Sequence, residues 1–191
     1  MKAVETLPEG YHEYYSLDLQ KDKKTAVLVN ALAVLIMLAM FVPMILVIPL
    51  SESFRLDTGT ILRLAVLVVS LIVYIVLHEL VHGIAMKSCG TKKVKYGFTA
   101  LYAFAGSDDY YDKSAYIYIA LAPVALFGIL LAVVTPLVPR AWFWVVYFIQ
   151  IMNLSGAAGD LYVTVKFSRF PKDILIRDHG VGMTVFSKEL N

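Results

Sequence analysis

Four apolar stretches, at residues 26–50, 61–86, 115–137 and 142–165, constrain this chain more than any other feature. Each is long enough to cross a hydrocarbon core of about 30 Å, which takes roughly 20 helical residues. The chain is 59% hydrophobic and only 17% charged, with the charges gathered in short blocks between the stretches. This pattern predicts an all-α membrane protein of four transmembrane helices. The expected organisation is a leader over 1–25, a four-span core over 26–165 and a tail over 166–191. The first apolar run starts too late and is too long to be the core of a cleavable signal peptide, so the chain is expected to be retained whole. Nothing in the sequence suggests a second domain or an internal repeat.

The basic residues orient the spans. Lys2, Lys21, Lys23 and Lys24 precede the first; Lys87, Lys92, Lys93, Lys95 and Lys113 separate the second from the third; Lys166, Arg169, Lys172, Arg177 and Lys188 follow the fourth. The other two connections carry only Arg55 and Arg140, with Arg63 at the boundary of the second span. The positive-inside rule therefore predicts cytoplasmic termini and a cytoplasmic central loop, with Trp142 and Trp144 in an outer interfacial belt. Spans two and four then run in the same direction. A formal net charge of +2 is too small and too spread to argue for nucleic acid. The expected partner of such a chain is the lipid bilayer. The single cysteine, Cys89, excludes an internal disulfide. In the central loop, VKYGF at 94–98 alternates, ALYAFA at 100–105 follows, and GSDDYYD supplies turn residues, which predicts a short cytoplasmic β-hairpin between helices 2 and 3.

The second span ends in VLHELVHGIAMK, residues 76–87. His78 and His82 are four residues apart, so a helix puts them on one face about 6 Å apart along its axis, able to share one ion. Glu79 can reach a water on that ion. Two neutral nitrogen ligands plus a carboxylate that takes a proton are what metal-assisted hydrolysis needs, and HExxH on a helix is the zinc form of it. Residues 64–77 cover about 21 Å of helix, so His78 is expected below the membrane surface, where ionisable groups are functional candidates. Such a site needs a third ligand. Asp160 follows Trp142 by the same 18 residues by which His82 follows Leu64, about 27 Å in two helices running the same way, and it is the candidate. Gly156, Ala157, Ala158 and Gly159 remove bulk beside it and permit the helix to loosen. Asn153 has two readings, a donor to substrate or oxyanion and an interhelical hydrogen bond. His12 and His179 read as surface histidines.

HELVH at 78–82, a strand-bearing loop, ALAPVALFG at 120–128 and Asn153 seven residues before Asp160 together resemble the core of the site-2 protease family of intramembrane zinc metalloproteases. More narrowly, HELVHG with NLSGAAGD is similar to small bacterial proteins classed as zincin peptidases. The resemblance covers residues 61–165 and implies a zinc endopeptidase of a bacterial plasma membrane, acting on a membrane-embedded protein or peptide substrate, in which His78, His82 and Asp160 hold Zn2+ and Glu79 is the general base. The sequence departs from the site-2 pattern in three respects. Asp160 sits in GDL where the family has LDG, the family's prolines before that aspartate are missing, and Ala122-Pro123 lacks the glycine of the family's alanine-glycine-proline turn. Two other readings are compatible with the same residues: a membrane metal hydrolase acting on a non-peptide substrate, and a catalytically silent metal-binding membrane protein.

Overall fold

The computed structural model describes residues 3–55, 57–99, 103–180 and 182–188. Lys2 and the start of the ALYAFA stretch, residues 100–102, lie outside the described residues. Three long helices each follow an aspartate. Asp22, Asp57 and Asp112 precede α1 (Lys23–Val47), α2 (Thr58–Ser88) and α3 (Lys113–Val134). Their carboxylates accept from the backbone N–H groups of Thr25 at 3.1 Å, Thr60 at 2.8 Å and Ala115 at 2.7 Å. First-turn N–H groups have no intrahelical acceptor, so each of these caps stabilises its helix by about 1 kcal/mol.

The fourth apolar run is two helices rather than one. α4 (Phe143–Gly156) ends at Ala157, whose φ −85 and ψ 16 leave helical geometry, and α5 (Ala158–Ser168) begins at the next residue. The small residues of GAAG permit this break. Four helical runs, Lys23–Val47, Thr58–Ser88, Lys113–Val134 and Arg140–Ser168, are long and apolar enough to cross a membrane. Large apolar side chains along them, such as Leu46 at 81% and Ile61 at 73%, stay exposed and would be costly to leave in water. The chain is a membrane protein.

It is not all-α, which corrects the reading from apolar periodicity. β1 (Ala3–Val4), β2 (His12–Leu17), β5 (Tyr110–Asp112), β6 (Leu175–Asp178) and β7 (Met183–Ser187) form an antiparallel sheet in the order β1-β5-β6-β7-β2. The leader and tail pair through it, His12 opposite Ser187. β3 (Lys95–Phe98) and β4 (Ala103–Gly106) form a separate antiparallel pair with Tyr96 opposite Ala105. GSDDYYD, read as turn residues, contributes β5. Short strands with distant partners leave little local periodicity to detect.

The described chain divides into two compact units. One holds residues 78–123 with the described parts of 1–28 and 160–191. Its core is Leu17, Met86, Tyr111, Tyr116, Ile119, Phe167, Ile176 and Val185, all at 2% exposure or less, so sheet and helix ends share one apolar centre. Lys166 on α5 donates to the Tyr15 hydroxyl at 2.6 Å and lies 4.0 Å from the centre of that ring, tying the leader strand to the helix.

The other unit holds residues 29–77 and 124–159. Trp144 is fully buried there against Phe41 and Phe148. Its indole N–H donates to the Ile48 and Pro49 carbonyls, at 3.1 and 3.2 Å, beyond the end of α1. Trp144 is therefore a packing residue and not a member of an interfacial belt, since a belt residue presents its ring to lipid.

Candidate metal centre

His78 and His82 sit one helical turn apart on α2, each 9% exposed, with Nε2 atoms 3.2 Å apart. Asp160, in the first turn of α5, places Oδ2 3.4 Å from His78 Nε2 and 3.6 Å from His82 Nε2. The break at Ala157 makes this position a helix start, where unpaired N–H groups favour a carboxylate. A tetrahedral ion with ligand bonds of about 2.0–2.1 Å separates its ligand atoms by roughly 3.3–3.4 Å. The three donor separations, 3.2, 3.4 and 3.6 Å, are close to the edges of that tetrahedron. Three donors of this chemistry fit zinc.

His82 is also fixed from behind. Its Nδ1 lies 2.9 Å from the Ile119 carbonyl, which accepts the Nδ1 proton and leaves the Nε2 lone pair for a metal. Glu79 is half-buried, and one carboxylate oxygen lies within 4.8 Å of a ring nitrogen of each histidine. Its carboxylate accepts the backbone N–H of Ala105 in β4. That bond holds the carboxylate beside the histidines on the same helix.

The partners that hold these groups come from elements distant from them in sequence. β4 is clamped on its other side by the turn between β6 and β7. Ser107 N–H donates to the Asp178 carbonyl at 2.8 Å, and a side chain at Gly106 would meet the His179 and Gly180 backbone at 2.6 Å. Gly180 has φ +83, a conformation that favours glycine, and donates its N–H to Asp178 Oδ1 at 2.8 Å. Asp178 Oδ2 accepts the Tyr116 hydroxyl at 2.9 Å, and burial pushes the Asp178 carboxyl above its ordinary range. On the near side, the Tyr96 hydroxyl occupies the space a side chain would need at Gly83. The glycine that ends HELVHG was the one local signal of this approach.

Asn153 is placed differently from its donor reading. It is fully buried in the second unit, where its carbonyl accepts the Tyr74 hydroxyl at 3.0 Å and its amide donates to the Val124 carbonyl at 3.2 Å. The interhelical hydrogen bond is the role the structure gives it, because these packing contacts engage both ends of the amide. His12 is exposed on β2 and His179 exposed in the β6–β7 turn, and neither is among the clustered donors. The family's alanine-glycine-proline turn is absent, and α3 runs on through Pro123.

Helices fit to cross a membrane stand together in this chain with a His-Glu-His cluster that could hold a metal ion. The chain belongs to the family described as "Putative zincin peptidase", which matches residues 71–175. The match ends before the β6–β7 turn. The chain is also 30% identical over 122 residues, 61% of its length, to an uncharacterised 24.7 kDa protein of Pyrococcus woesei. It spans about half of that relative, 53%. No solved structure matches.

Proposed function

We propose that the chain is an intramembrane zinc metalloendopeptidase of the site-2 protease type, cutting peptide bonds of membrane-associated substrates. The observation that carries the reading is the triangle of His78 Nε2, His82 Nε2 and Asp160 Oδ2, with edges of 3.2, 3.4 and 3.6 Å. When bound there, zinc supplies Lewis acidity, polarising a carbonyl and acidifying a water. The protein residues do the rest. His78, His82 and Asp160 hold the ion, the Ile119 carbonyl keeps His82 in the ligating tautomer, and the Ala105 N–H fixes the Glu79 carboxylate. Glu79 takes a proton from the attacking water and returns it to the leaving amine.

A helical substrate hides its carbonyls and must unwind locally to be cut. β3 pairs on one side only, with β4, among the described residues, and its other edge suits an extended peptide. The distribution of lysine and arginine supports a multi-pass topology with cytoplasmic termini and a cytoplasmic opening.

The reading is tested by measuring zinc in detergent-purified protein together with cleavage of a co-expressed membrane substrate. The expected result is one zinc per chain, with Glu79→Ala keeping metal and losing cleavage and Asp160→Ala losing metal. Protein purified gently and without zinc would sink it.

A further inference from the structure

α3 contains a proline in its interior, Pro123, which is fully buried. A proline inside a helix has no N–H, so the carbonyl four residues earlier loses its α-helical donor, ordinarily a cost of about 3 kcal/mol. Four residues before Pro123 is Ile119. Its carbonyl is the one that His82 Nδ1 reaches at 2.9 Å. We propose that Pro123 is a positioning residue for the metal centre: by withholding an N–H from α3 it keeps the Ile119 carbonyl available to His82.

In an uninterrupted helix the Ile119 oxygen would point along the axis at the N–H of residue 123 and be engaged there. A buried carbonyl without a partner is unfavourable, so the site gains twice when the imidazole N–H fills the gap. The acceptor is satisfied, and the His82 ring is held with Nε2 turned toward His78 and Asp160, 3.2 and 3.6 Å away. A backbone oxygen is a durable choice of acceptor because no side-chain rotamer can move it. The arrangement depends on both helices, since α2 supplies the histidine and α3 the vacated carbonyl.

The inference rests on His82 being a zinc ligand, and the test separates the two. Zinc affinity of the full chain in detergent is measured by chelator competition, and the unfolding midpoint of the zinc-free protein is measured alongside. The variants are Pro123→Ala, Pro123→Gly, His82→Ala, and Pro43→Ala as a control for restoring an N–H inside α1. Restoring an N–H at 123 is expected to leave the zinc-free midpoint unchanged or higher in Pro123→Ala, and yet to weaken zinc binding by about 10–100-fold, the usual effect of losing a ligand's supporting hydrogen bond. Pro43→Ala is expected to keep zinc affinity within twofold. Zinc affinity within twofold of wild type in both Pro123 variants would overturn the proposal. So would a loss of affinity that appears only with a matching loss of zinc-free stability, which would make Pro123 a packing residue. If His82→Ala binds zinc as wild type does, the ligand assignment itself fails. If His82→Ala loses zinc and the Pro123 variants do not, the assignment stands and this inference alone falls.

Discussion

Asp160 Oδ2 stands 3.4 Å from His78 Nε2, although the two residues belong to different helices far apart in the sequence. Removing either side chain should therefore disable the same site. His78→Ala and Asp160→Ala are each expected to weaken zinc binding by at least about 100-fold, more than the loss of an outer hydrogen bond. Glu79→Gln should bind zinc like wild type and lose peptide hydrolysis by about 100-fold or more, as expected for a general base. Metal analysis and a cleavage assay on the same preparations check both halves.

Gly83 lies beneath the Tyr96 hydroxyl, and a methyl group there would come within 1.8 Å of that oxygen. Gly83→Ala must push Tyr96, and β3 with it, away from α2. The expected outcome is retained zinc with cleavage reduced by about tenfold or more. The double variant Gly83→Ala with Tyr96→Ala removes the collision and should recover part of the loss, which kinetics on both variants will read.

Asp178 shapes the turn behind β4 through the Gly180 N–H and the Tyr116 hydroxyl. Asp178→Ala should loosen β4 and with it the Ala105 N–H that Glu79 accepts. Hydrogen exchange at Ala105 is expected to speed by about tenfold while Ile176, deep in the sheet, changes little. Equal acceleration at both amides would mean general destabilisation instead.

Asn153 serves packing, so Asn153→Ala should cost about 1–3 kcal/mol of stability by leaving the Tyr74 hydroxyl and the Val124 carbonyl without it. Turnover by the folded fraction should not change. Thermal unfolding in detergent and kcat per zinc-loaded molecule separate the two.

Asp108 accepts from Lys95 at 2.5 Å and Arg177 at 3.0 Å, joining β3 to β6, and these bonds hold its carboxyl below the usual 3.8. A carboxyl whose folded value is depressed stabilises the fold above its unfolded value and loses that contribution as pH falls through the folded value. Stability should thus drop as pH falls from 5 toward 3, and less steeply in Asp108→Asn. The group is exposed, so salt should shrink the difference, and unfolding midpoints across pH at two ionic strengths measure it.

What the sequence determined by itself is what local patterning can encode. Apolar runs dictate helices, because a chain in lipid must satisfy its own backbone. The i, i+4 spacing of His78 and His82 dictates that they share a face. The count of residues along two helices pointed to Asp160, and the GAAG stretch beside it was legible as a place where a helix can loosen. The tertiary structure alone decided what holds these groups. The sheet of leader and tail, the Ala105 N–H on Glu79, the Tyr116–Asp178 bond and the Ile119 carbonyl on His82 all join residues distant in sequence. Three of those contacts use backbone atoms, which every residue carries, so no residue type announces them. Trp144 and Asn153 show the same limit from the other side. Their side chains suit an interface or a reaction as well as a core, and only the packing around them selects the core.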